Sequence, residues 1–203
     1  MADRPRRTHP AAPYGEPMPR TRLSPLALLL VLPALLVAGC ALGSGTDKAI
    51  GGPARDEEPA RVSIPSIGVD SPLIRLGPGK DGKAQLPPPE KGMTAGWYTG
   101  GAVPGDTGAA VIIGHDAART GKAVFRDLKK VREGTVVDVR RGDGRVLHFT
   151  VTGTETVRKD AFPTRKVYGG TIEKALRLVT CAGDQDAGGH PVDNLIVYAS
   201  LQS

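Results

Sequence analysis

Two residues of this chain have the chemistry for covalent catalysis and stand where the local sequence would present them. Cys181 ends the apolar run "ALRLVTC", residues 175–181, and the small, acidic stretch "AGDQDAGG" follows at once. His115 ends a second apolar run, "AAVIIGH", residues 109–115, and opens the polar stretch "DAARTG". A thiol attacks carbonyl carbon as its thiolate, so it needs a base or a positive charge nearby. Two rigid strands with Cys at one exit and His at the other would make such a pair. The other reading of Cys181 is an inert thiol buried at a strand end.

The remaining histidines compete less well. His9 lies in the N-terminal tail, and His148 in "RVLHFTV" points away from the apolar face of Leu147, Phe149 and Val151, as a surface histidine does. His190 follows Cys181 in a loop and is the second candidate after His115. Cys40 is the only other cysteine. It falls at the membrane, so Cys181 has no partner for a disulfide, and an unpaired thiol outside the cell is either buried or used. One thiolate with scattered histidines does not make a closed zinc site, so no metal and no cofactor are expected. Asp184 and Asp186 are read as solvated loop acids.

The elements that must position the pair are short and mostly β. "RVSI" (61–64), "SPLIRL" (71–76), "AAVIIGH", "TVVDVRR" (135–141), "RVLHFTVTGTETV" (145–157), "ALRLVTC" and "NLIVYAS" (194–200) read as strands. Gly142-Asp143-Gly144 between two of them signals a hairpin. Helical spacing occurs in "AVFRDLKKV", residues 123–131, with Val124, Leu128 and Val131 on one side. About eight strands at this spacing suggest a closed barrel or a sandwich.

Ahead of these strands the chain changes character three times. Residues 1–22 are Pro- and Arg-rich without apolar periodicity and are expected to be disordered. Residues 23–40, "LSPLALLLVLPALLVAGC", carry no charge and follow Arg20 and Arg22, the pattern of an export signal or membrane anchor. "VAGC" at 37–40 resembles a lipobox, which would make Cys40 a lipidation site; an uncleaved anchor helix is the alternative. Residues 41–60 are a Gly/Pro-broken linker, leaving 61–203 as the folded domain. The net charge is +6, and the tail, with five arginines against Asp3 and Glu16, carries half of it. The exported part is close to balanced and shows no nucleic-acid footprint.

These residues resemble the sortases, cysteine transpeptidases of Gram-positive cell surfaces. "RLVTC" is similar to the T-L-x-T-C motif, with Arg177 in place of its first threonine. The segment from "AAVIIGH" to "VVDV" resembles the one around the sortase histidine. "VSIPSIGVDSPL" and "AGWYTGGAVPGDTGAAVIIGH" resemble the opening of the actinobacterial class F (or E). The resemblance implies a mainly β fold, an eight-stranded sortase-type barrel with one or two short helices. It implies that Cys181 attacks an L-P-x-T-G-like sorting signal on surface proteins and holds it as a thioester. His115 would act as proton donor and acceptor, and the acyl group would pass to an amine of a cell-wall precursor or another envelope amine. The enzyme would be tethered through its N-terminus, with the catalytic domain outside the cell membrane. The alternative is a weak or inactive sortase-like lipoprotein that binds peptides. An L,D-transpeptidase is disfavoured because "LVTC" lacks that family's neighbouring His and Gly.

One departure stands out. The family carries an oxyanion-supporting arginine thirteen residues beyond the cysteine, which falls here on Asn194, and no Arg or Lys occurs from Cys181 to Ser203. Asn194 could donate from its amide, Arg119 in the His115 loop or Arg165 could fold over the site, or activity could be low. "FPTRKVYGG", residues 162–170, is expected to wall the peptide groove, and Trp97 to pack in the core.

Overall fold

The computed structural model describes residues 55–203 apart from 80–83, 118–120 and 190. The N-terminal tail, the hydrophobic segment with Cys40, and the segments holding Arg119 and His190 lie outside the described residues.

Eight strands close into a barrel: β1 Pro59–Ile64, β2 Val69–Leu76, β3 Ala95–Tyr98, β4 Gly108–Ile113, β5 Val136–Arg141, β6 Val146–Arg158, β7 Lys174–Gln185 and β8 Pro191–Leu201. Their order around the barrel is β1-β2-β3-β4-β7-β8-β6-β5, with β5 pairing back onto β1. The β2–β3 and β4–β7 pairs are parallel and the others antiparallel. Closure leaves no unpaired sheet edge. The expected hairpin joins β5 to β6, closed by Arg141 N–H to the Arg145 carbonyl at 2.9 Å.

Alternation along each strand explains two apolar layers. Ala110 and Ile112 of β4, Leu176 and Leu178 of β7, Leu195 and Val197 of β8, and Phe149 and Val151 of β6 fill the barrel. The intervening Val111, Ile113, Val179, Ile196 and Tyr198 face outward, yet they are buried too. The β6–β7 connection covers them, presenting Val167 of the one α-helix among the described residues, α1 (Thr164–Tyr168), with Phe162 and Tyr168 alongside. Burial on both faces is why β4 and the first half of β7 read as continuous apolar runs. The wall expected from "FPTRKVYGG" is this cover.

Two local expectations are corrected. Residues 123–131 are not an α-helix but a turn followed by the 3-10 segment Leu128–Lys130. Val124, Phe125, Leu128 and Val131 are all buried as the spacing implies. However, the Val124 and Phe125 amides donate to the carbonyls of Gly92 and His115, not within a helix. Second, Cys181 does not end its strand. β7 runs on to Gln185, pairing Ala182 with Asp193 and Gln185 with Pro191, and the register shifts between them. Gly183, at φ +81°, accommodates that bulge. β8 correspondingly starts at Pro191, a strand-first position where proline costs no ladder bond.

Candidate active site

The β4–β7 pairing decides what stands beside Cys181. Ile113 pairs with Val179, and the Gly114 amide donates to the Val179 carbonyl at 3.1 Å. The Thr180 hydroxyl then donates to the Gly114 carbonyl at 2.8 Å. His115 and Cys181 each come two residues after the Ile113–Val179 pair, on neighbouring chains that run in the same direction. Alternation from Val179 along β7 puts Cys181 on the outward face, and β4 ends at Ile113, two residues before His115, at the same end of the barrel. On the other side of β7, Cys181 pairs with Asn194 of β8, and Asn194 pairs with Val157 of β6. Cys181, Asn194 and Val157 therefore form one row across three adjacent strands, and His115 follows the end of the next strand, β4.

His115 is held from two sides. Its backbone carbonyl accepts from the Phe125 amide at 2.8 Å, and its Nε2 lies 2.8 Å from the Pro87 carbonyl. A carbonyl only accepts, so Nε2 carries a proton there, and in the neutral ring Nδ1 holds the lone pair. Gly114 makes room for this placement: a Cβ on it would lie 2.6 Å from the Phe125 ring and 2.7 Å from Val124. The packing of "AVF" against "GH" thus fixes where the imidazole begins.

Cys181 is a free, half-buried thiol. Burial pushes its pKa up. The Lys159 ammonium pulls the other way, while the Asp116 carboxylate adds to the rise. Lys159 opens the 3-10 turn Lys159–Ala161 directly after β6. Nothing in the local sequence "TVRKDAF" marks it. The β6–β8 pairing that brings it to this row joins segments some forty residues apart, and only that pairing would have found it.

The other singled-out residues go elsewhere. Asn194 is half-buried beside Cys181, whereas Arg165 is exposed on α1. His148 is exposed near the opposite end of β6, with Nδ1 2.7 Å from Asp138. Trp97 is buried in the barrel, its Nε1–H donating to the Ala102 carbonyl at 3.1 Å. Asp184 is exposed, and Asp186 accepts from the Gly188 amide at 2.8 Å in a turn. Among the described residues no cluster of three or more metal-ligating side chains occurs. A cleft of about 640 Å³ lies over β1, β2 and β5, away from Cys181, and its lining includes the Arg61–Asp70 ion pair.

Residues 62–202 match the family model described as the sortase domain. A comparison with curated proteins gave no match. Among solved structures, the fold is similar to a lid mutant of sortase A from Corynebacterium diphtheriae, at 22% identity and a TM-score of 0.55, covering 70% of this chain and 69% of that one. It is also similar to sortase C-1 from Actinomyces oris, at 22% identity and a TM-score of 0.55, covering 71% and 73%. Sortase C1 from Streptococcus agalactiae matches at 21% identity and a TM-score of 0.57, covering 71% and 67%. With a family match across nearly all of the described residues and a barrel of the same topology, this chain belongs to the sortase family of cysteine transpeptidases.

Proposed function

We propose that the chain is a membrane-tethered transpeptidase that cleaves an L-P-x-T-G-like sorting signal and joins the protein to a cell-envelope amine. The observation that supports this reading is the parallel β4–β7 register, whose last pair, Ile113 with Val179, comes two residues before both His115 and Cys181. Burial keeps the thiol protonated at rest. Neutral His115 takes the thiol proton at Nδ1, and the thiolate attacks the Thr carbonyl carbon. A C–S bond forms while the carbonyl electron pair moves to oxygen. As the oxyanion collapses, the C–N bond breaks and His115 returns its proton to the departing glycine nitrogen, leaving a thioester and a neutral imidazole. An incoming amine then attacks the thioester, gives its surplus proton to His115, and releases the sulfur. The thioester conserves the energy of the broken amide, so ligation needs no nucleotide outside the cell.

The finer features of this reading rest on sequence. "VSIPSIGVDSPL" and "AGWYTGG" favour the class F (or E) branch. The uncharged residues 23–40 after Arg20 and Arg22 favour a tether that leaves the barrel on the outer face of the cell membrane, with Cys40 as lipid attachment or the segment as anchor helix. Among the described residues no helix is long and apolar enough to cross a membrane. Asn194 favours a second reading, a catalytically weak barrel that binds sorting peptides.

Intact-mass analysis of the detergent-solubilised chain incubated with sorting-signal peptides tests the first reading. A +acyl adduct that is lost in Cys181→Ala supports it. Peptide binding without any adduct supports the second.

A further inference from the structure

A cationic residue that belongs to neither β7 nor β8 follows the end of the strand row that contains Cys181. The outward row runs Cys181, Asn194, Val157 from β7 through β8 to β6. β6 ends at Arg158, which pairs with Asp193 of β8, and Lys159 follows it at once. It opens the 3-10 turn Lys159–Ala161, which packs against β8. The Lys159 ammonium acts electrostatically on the Cys181 thiol and favours its thiolate.

The other described cations of this region are committed elsewhere. Arg158 is bound to Asp160 at 2.9 Å. Lys166 is bound to Glu155 at 2.6 Å and lies 4.4 Å from the Tyr198 ring centre. Arg177 lies 4.8 Å from the same ring, on the far side of it from Cys181 along β7. Arg165 is exposed on α1.

We propose that Lys159 is a catalytic cation of this chain, acting on the negative charge that forms first on the Cys181 sulfur and then on the oxygen of its acyl adduct. The inference rests on the reading of Cys181 as the nucleophile. In the thiolate the charge sits on sulfur; in the tetrahedral adduct it sits on an oxygen attached to the carbon that the sulfur has just bonded. One flexible ammonium with three donors can follow that short displacement. Lys159 remains protonated throughout, gives up no proton and leaves the transfer to His115. Its charge opposes both the burial of the thiol and the Asp116 carboxylate, the two influences that disfavour the thiolate. Asn194, directly opposite the sulfur, is then free to contribute a neutral amide donor without having to carry the charge.

The test compares the full chain with Lys159→Met and Lys159→Arg. Lys159 is exposed, so both variants keep the fold, and thermal melts check this. Alkylation of Cys181 by iodoacetamide is followed across pH by peptide mass mapping, which separates it from Cys40. In Lys159→Met the midpoint moves to higher pH and the rate at pH 7 falls several-fold, and Lys159→Arg restores most of it. Acylation by a sorting-signal peptide falls by about 10²–10³ in kcat for Lys159→Met, with KM within about twofold. An unchanged alkylation profile in Lys159→Met overturns the proposal, as does an arginine variant no better than the methionine one. A wild-type chain that no sorting peptide acylates sinks the transpeptidase reading alone, because the alkylation arm still decides whether Lys159 acts on the sulfur.

Discussion

Cys181 and Asn194 face each other directly across the β7–β8 ladder, so the residue nearest the sulfur on the last strand is a neutral amide. An arginine at that position would reach the same space with a planar, permanently charged fork. Asn194→Arg is therefore expected to raise the rate of peptide acylation by about tenfold, through kcat, because an extra charged donor stabilises the developing oxyanion. Steady-state kinetics on the variant check it. A fall in kcat would show that the asparagine amide itself is the donor that matters.

The junction of β4 and β7 is sealed by one buried hydrogen bond, from the Thr180 hydroxyl to the Gly114 carbonyl. Thr180→Val keeps the shape and removes the donor, leaving a buried carbonyl without that partner at a cost of about 1–3 kcal/mol. We expect a lower Tm together with a loss of kcat, because the same bond spaces His115 from Cys181. A variant with lowered Tm and full kcat would mean that the spacing is set elsewhere.

Gly114→Ala should be the more damaging change in the same place. Its Cβ would sit 2.6 Å from the Phe125 ring, which is buried and cannot withdraw. Overpacking of this kind costs about 1–3 kcal/mol. The displaced backbone belongs to the residue before His115, so activity is expected to fall further than the stability loss explains. Comparing kcat below the melting transition in both proteins separates the two effects.

Most of the barrel was legible because burial leaves a mark in composition. β4 and the core of β7 are covered on both faces and read as unbroken apolar runs, and the Gly-Asp-Gly hairpin announces itself. Cys181 and His115 were legible because each closes such a run. The continuation of β7 through "AGDQ" was not, since its stability comes from pairing with β8 and not from apolar residues. The 123–131 segment has helical spacing, but its amides are taken by Gly92 and His115, and tertiary bonds override the local preference. Lys159 was invisible for a related reason. Its role depends on which strand lies beside β8, and nothing within "TVRKDAF" states that β6 does.

The thiol itself should carry a pH signature. Burial raises the Cys181 pKa above that of a free thiol, so the folded chain holds that proton more tightly than the unfolded one. The stabilisation is fully present below the unfolded pKa and is lost as pH rises through the folded value. Wild type is expected to lose more Tm than Cys181→Ala as pH is raised from about 8.5 upward. Parallel melting curves for the two proteins over that range would contradict this.

Gly183 offers a test of whether the hairpin beyond Cys181 matters to the site. It sits at φ +81°, and a Cβ there would come within 2.4 Å of the Asp193 carboxylate. Gly183→Ala thus meets both backbone strain and a clash, and the carboxylate must swing away. Since a left-handed conformation costs a non-glycine residue about 1–2 kcal/mol, the bulge is expected to relax into a different register. Asp193 is the neighbour of Asn194 on β8, so that shift would move the amide opposite the sulfur. The expected result is a small loss of Tm with a larger change in the alkylation rate of Cys181. An unaltered rate would show that the β7–β8 ladder below Ala182 is mechanically separate from the nucleophile.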